Sequence, residues 1–187
     1  TGEPEARETV FGFFVSKKRR LSLMTGRDGG ADLHPIGNSP VVILVRPQLA
    51  ENVGAVARAM ANGGLFHLRL VAPRDGWPQE KAWRNASGAD RILDALTLHD
   101  TVFDAVADLH RVFATCPRPR HIVKPILTAR GGAAELRLIC ARDLRAGILF
   151  GPERAGLDND EMACADSLVR FPLNPAFMSL NLAQAVM

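Results

Sequence analysis

Residues 148–157, ILFGPERAGL, decide how the chain reads. The apolar run Ile148, Leu149, Phe150 ends in Gly151-Pro152, delivers Glu153 and Arg154 to a turn, and restarts at Gly156. A strand that feeds a polar site has this form. A second stretch follows at short range: NPAFMSLNLAQAV, residues 174–186. It begins as a loop after Pro172 and turns to a helical pattern at Ser179, where Ser179 is placed to cap the first turn and Asn181 to aim its amide at a ligand. Two loops at adjacent strand ends, both rich in orienting groups, predict one site.

Working outward, VVILV at 41–45 is a continuous aliphatic run of the kind buried on both faces of a parallel sheet. Asn52 then suits the N-cap of a helix over 53–62 that stops at Gly63-Gly64. Val53, Val56, Ala57 and Met60 form its core stripe. Its outer positions Gly54, Ala55, Ala59 and Asn62 carry no charge, and Arg58 is the exception. A solvated helix face normally carries several charges, so this face is expected to be covered, in the first instance by a second subunit. Gly54, one turn before Arg58, leaves the space beneath the guanidinium open. Further strands read at 66–71, 95–98, 111–115, 147–150 and 168–171. Helices read at 101–109 (capped by Asp100), 135–144 and 158–163. This alternation predicts an α/β fold, a mostly parallel sheet with helices on both faces. Ligands then belong at the carboxyl ends of the strands.

The 187 residues suffice for one core plus a tail. We read 1–38 as a poorly ordered N-terminal extension and 39–187 as the domain. The net charge of +3 comes largely from the first 23 residues, with five Lys/Arg against three Asp/Glu, which leaves 18 against 17 for the rest. Overall charge therefore selects no partner. Cys116, Cys140 and Cys164 are far apart, and the five histidines form no paired spacing. Free thiols in a reducing, cytoplasmic setting fit this pattern, and a metal site does not. No apolar run approaches the roughly 20 residues of a membrane helix, so a soluble protein is expected.

Residues 116–134 read as a long irregular loop with three prolines and Gly131-Gly132. No acid occurs between Asp108 and Glu135, whereas Arg111, Arg118, Arg120, Lys124 and Arg130 do. Long loops in compact domains are usually functional, and a basic one suits a nucleic-acid backbone. The common enzyme signatures fail: there is no GxGxxG after the first strand, no P-loop, and no GxSxG around Ser179. What remains is a site of Arg58, Glu153, Ser179 and Asn181 with strand-end backbone groups, suited to a nucleoside-like cofactor beside a polyanion. That description names no reaction.

The ordered set Asn52-x-Gly54-x-x-x-Arg58, FGPERAGL and NPxxxSLNLAQAV resembles the three motifs of the SpoU/TrmH branch of the SPOUT methyltransferases, from about Val41 to the last residue. The third motif and the basic loop resemble most closely the TrmJ-like enzymes, which methylate the ribose 2′-hydroxyl of tRNA at position 32. The resemblance implies a deep trefoil knot in the C-terminal part, S-adenosylmethionine bound in it, and a homodimer in which the Arg58 motif reaches the partner's cofactor site. By position it assigns Thr115, Cys116, Pro117, Gly151, Phe171, Ser179 and Leu180 to the cofactor. Arg58 becomes the catalytic residue, oriented by Asn52 and Glu153, while Ser179 and Asn181 shape the substrate pocket. An arginine hardly deprotonates, so its expected role is orientation and charge stabilisation. Arg118, Arg120, Lys124 and Arg130 are the expected RNA contacts. Members of the branch continue past the equivalent of Met187, so dimer stability and activity are expected to suffer if the chain stops there. The alternatives are a ribosomal RNA ribose methyltransferase and a non-catalytic RNA-binding protein of the same fold.

Overall fold

The computed structural model describes residues 38–116, 123–174, 176 and 179–187. Of the N-terminal extension only Asn38 falls among them. Among the described residues, seven strands form one sheet: β1 (Val41–Val45), β2 (Leu68–Val71), β3 (Thr97–His99), β4 (Arg111–Thr115), β5 (Ile126–Thr128), β6 (Ala146–Phe150) and β7 (Ser167–Arg170). The order is β3-β2-β1-β6-β4-β7-β5, and every neighbouring pair is parallel. β1 and β6 are buried along their whole length, as their unbroken aliphatic runs require of central parallel strands.

The pleat sorts β1 between two cores. Val42 and Leu44 join one, and Val41, Ile43 and Val45 the other. The first core is roofed by α1 (Ala50–Gly63), α2 (Glu80–Ala86), α3 (Asp90–Asp94), α5 (Ala129–Cys140) and α7 (Leu182–Val186). The second is roofed by α4 (Val102–Val106) and α6 (Asn159–Ala163). The α/β architecture with helices on both faces is thus as the sequence predicts.

Several local expectations are corrected. α1 begins at Ala50, and its N-cap is Leu49 with no side-chain bond, so Asn52 lies inside the first turn and caps nothing. α7 begins at Leu182 and its cap is Asn181, not Ser179: the Asn181 side chain accepts the Ala183 N–H at 2.9 Å, and the Gln184 side chain accepts the Asn181 N–H at 3.3 Å. Thr101, not Asp100, caps α4 by accepting the Asp104 N–H at 3.1 Å. The loop read at 116–134 ends early, because β5 and α5 occupy its second half. Thr128 caps α5 and both glycines lie within that helix. Gly132 is needed there because a Cβ would stand 2.9 Å from Val169 Cγ2 of β7.

The uncharged face of α1 is covered by the chain itself at Gly54. A Cβ there would stand 2.0 Å from the Ala82 carbonyl oxygen of α2, so Gly54 serves helix-on-helix contact rather than space beneath Arg58. Among the described residues, no helix is long and apolar enough to cross a membrane.

Candidate active site

The carboxyl ends of β4, β6 and β7 open onto a cleft of about 480 Å³, which is where a parallel sheet of this kind presents its ligand groups. Thr115 and Cys116 end one strand, Phe150 and Gly151 another, and Phe171 follows the third. Ser179 and Leu180, ahead of α7, close the remaining side. Six of the seven residues assigned to a cofactor from sequence therefore line one cavity; the seventh, Pro117, lies outside the described residues.

Two strand-end groups of the cleft are tied into the sheet, and the charged Glu153 and Arg154 line it from the 151–157 loop. The Thr115 hydroxyl donates to the Leu149 carbonyl at 3.1 Å, tying β4 to β6. The Cys116 N–H donates to the Val169 carbonyl at 3.0 Å, and the residue is buried. Gly151 is where the 151–157 loop folds back on itself: a Cβ would stand 2.3 Å from the Leu157 nitrogen and 2.4 Å from the Gly156 carbonyl carbon. Gly156 takes a φ of 68°, a left-handed conformation that glycine adopts without strain. Its N–H closes the turn onto the Pro152 carbonyl at 2.8 Å.

Glu153 projects from that turn and fastens it to α1. One carboxylate oxygen accepts the Asn52 side-chain amide at 2.6 Å, and the other accepts the Gln48 N–H at 3.0 Å. A carboxylate beside a helix N-terminus that has no side-chain cap also meets the positive end of the helix dipole. This contact, made between residues about a hundred positions apart, explains why Asn52 looks like a cap and is not one.

Arg58 stands apart. It is exposed and donates to the Ser87 hydroxyl at 3.3 Å, on the turn that ends α2. It does not line the cleft of its own chain, and Asn52 and Glu153 bond to one another rather than to it. Asn181 does not line the cleft either, because its side-chain oxygen is spent capping α7.

Of the four cations expected to meet RNA, Arg118 and Arg120 lie outside the described residues. Lys124 is used by the fold: its ammonium donates to the Ala163 carbonyl at 2.7 Å and to the Ala165 carbonyl, just beyond α6. Arg130 is exposed in the first turn of α5. Arg111, counted with the basic run, pairs with Glu135 at 3.1 Å and Asp166 at 3.6 Å.

Residues 39–187 match the model of the SpoU rRNA Methylase family. The chain belongs to that family. Over 149 residues it is 40% identical to tRNA (cytidine/uridine/adenosine-2′-O-)-methyltransferase TrmJ of Pseudomonas aeruginosa (strain UCBPP-PA14), a match covering 78% of this chain and 56% of the relative. Its structure is similar to that of TrmJ from Z. mobilis ZM4, with a TM-score of 0.72 and 53% identity over 79% of this chain and 65% of the other. A probable methyltransferase from Bordetella pertussis Tohama I gives 0.71 and 35%, covering 79% and 90%. The chain thus spans little more than half the length of the Pseudomonas relative and under two thirds of the Z. mobilis one. Sequence reasoning missed Gln48, whose N–H completes the Glu153 contact; a backbone donor leaves no signal in residue type.

Proposed function

We propose that this SpoU-family chain transfers a methyl group from S-adenosylmethionine to a ribose 2′-hydroxyl of tRNA, at anticodon-loop position 32. The observation that carries the reading is the convergence of motif loops two and three, with the end of β4, on one cleft. The cleft fits the cofactor. Its volume lies within the roughly 300–1,000 Å³ of small-molecule sites, Phe171, Leu180 and Leu182 offer apolar surface for a nucleoside, and strand-end backbone offers polar partners. Bound there, S-adenosylmethionine would supply an electrophilic methyl group on a sulfonium.

The chain's own residues supply position and charge. Glu153, fixed by Asn52 and the Gln48 N–H, holds the cleft wall and presents carboxylate charge to an incoming guanidinium. Arg58 is no part of the cleft of its own chain, which supports the reading that it acts in a homodimer by reaching the partner's cleft. There it grips the phosphate beside the target ribose and holds the hydroxyl in line, a proximity contribution of large size. The lost proton goes to solvent or substrate, because a guanidinium hardly gives up its own. Ser179 shapes the substrate side, and Asn181 keeps α7 beneath it. The trefoil knot belongs to the same reading: β7 inserts between β4 and β5, and α7 then packs on α1. Arg118, Arg120 and Arg130 are the proposed tRNA contacts, with Lys124 removed from that set. The cytoplasm, where tRNA is modified, is the proposed location.

The family's description as rRNA methylases favours ribosomal RNA as the second reading. Mass-spectrometric mapping of 2′-O-methyl groups in tRNA and ribosomal RNA incubated with the chain and S-adenosylmethionine decides between them. Methylation confined to tRNA position 32 supports the proposal, and methylation of ribosomal RNA alone replaces it. Calorimetric titration showing no cofactor binding would leave only the non-catalytic reading.

A further inference from the structure

The loop that walls the cleft has a second fastening, made by a residue outside the three motifs. Arg46 follows β1 with a φ of 47°, in the left-handed region that residues with side chains seldom enter. Such conformations persist where the surroundings demand them, most often at functional sites. Here the Arg46 N–H donates to the Val71 carbonyl at 2.8 Å, which fixes the turn. The turn aims the guanidinium across the strand ends at α6. One terminal nitrogen donates to the Asp158 carboxylate at 3.2 Å, and the other pairs with the Glu161 carboxylate.

Both acceptors belong to the start of α6. Asp158 is its N-cap and accepts the Glu161 N–H at 2.9 Å, while Glu161 returns a bond to the Asp158 N–H at 2.8 Å. Glu161 is only 7% exposed, and a buried carboxylate needs a paired cation. A guanidinium spans two carboxylates with a planar fork, whereas an ammonium is a single point charge. Asp158 ends the stretch that begins at Gly151. The same stretch is held nearer its start by Glu153 on Asn52 and the Gln48 N–H. Both fastenings land on the connection 46–52, so the loop 151–158 is strung between two anchors on one segment.

We infer that Arg46 is a positioning residue for the cleft: by clasping Asp158 and Glu161 it sets the reach of loop 151–158 and so the width of the cavity that the loop walls. The inference rests on the reading of that cavity as the S-adenosylmethionine site, and its test separates the two. Arg46→Gly suits a φ of 47° but lacks the guanidinium, and Arg46→Lys keeps a charge for one carboxylate. Amide hydrogen exchange on the ligand-free protein, calorimetric titration with S-adenosylmethionine, and the split between KM and kcat are the readouts. In Arg46→Gly, exchange over 151–157 should quicken about tenfold while β1 and β4 keep their rates, as local opening would give. The Kd and KM for S-adenosylmethionine should rise about tenfold with kcat held, the mark of lost ground-state binding. Arg46→Lys should fall between Arg46→Gly and the native protein on both measures. Unchanged exchange in 151–157, or equal quickening through β1 and β4, would overturn the inference. Because exchange needs no ligand, a native protein that binds no S-adenosylmethionine would defeat the functional reading while selective loosening still supported the anchor.

Discussion

Glu153 and Arg58 are both charged, both carried on motif segments, and held in opposite ways. Glu153 is bonded within its own chain to Asn52 and the Gln48 backbone, at the mouth of the cleft. Arg58 is exposed on α1, donates to the Ser87 hydroxyl, and is no part of that cleft. One is held at the cleft by its own chain, and the other is presented outward. On the proposed function, the second half of the site comes from a second copy, whose Arg58 reaches this cleft.

The comparison is broken most forcefully at Arg58 itself. Arg58→Ala should lower methyl transfer by about 10²–10³-fold, the usual scale for losing one preorganised charge at the reacting centre. Calorimetry should find S-adenosylmethionine affinity within a few fold of native. Equal loss of both would put Arg58 inside the cofactor cleft and erase the contrast. Gly151→Ala should do the reverse. Its Cβ meets the backbone of Leu157 and Gly156, which cannot swing aside, and a displaced loop should weaken cofactor binding by about 10–100-fold. Binding at native strength would show that the loop is softer than its contacts suggest.

A smaller effect is expected on the Arg58 side. Gly54→Ala forces apart α1 and α2 and should cost about 1–3 kcal/mol of stability, the range for overpacking, measured by urea unfolding. Little change would mean that Ala82 yields freely. The smallest effect lies at the opposite end of the sheet, where Asp108 is bonded by Arg69 at 2.8 Å and by Arg145 at 3.0 Å. The Arg69 hydrogen bonds hold its carboxyl at about 2, below the ordinary 3.8. A lowered acid stabilises the fold above its unfolded value and loses that contribution as pH falls through the folded one. Asp108→Asn should therefore cost about 1 kcal/mol near neutrality, after discounting for solvent screening, and the gap to native should close as the pH approaches 2. Methylation should be unaffected, since this cluster touches neither half of the site.

The sheet was legible because β1 and β6 are unbroken apolar runs with no competing pattern. The cleft was legible because Gly151, Ser179 and Leu180 lie in motif segments. What misled was local chemistry overruled by distant contacts. Asn52 has the residue type of a cap, but Glu153 takes its amide. Gly131 and Gly132 have the type of helix breakers, yet Gly132 lets α5 approach Val169 and tertiary contact outweighs propensity. Lys124 reads as a free cation until the carbonyls of Ala163 and Ala165 claim it. The uncharged face of α1 pointed to a partner, and at Gly54 the cover proved to be α2.

The divided site is tested most directly by mixing two crippled proteins, Arg58→Ala and Gly151→Ala, after joint unfolding and refolding, and assaying methyl transfer at limiting S-adenosylmethionine. Random pairing in a symmetric dimer makes half the molecules mixed, each with one intact site of two, so activity should return to about a quarter of native. A mixture no more active than its parents would contradict the account, because it would mean that Arg58 serves the cleft of its own chain or none.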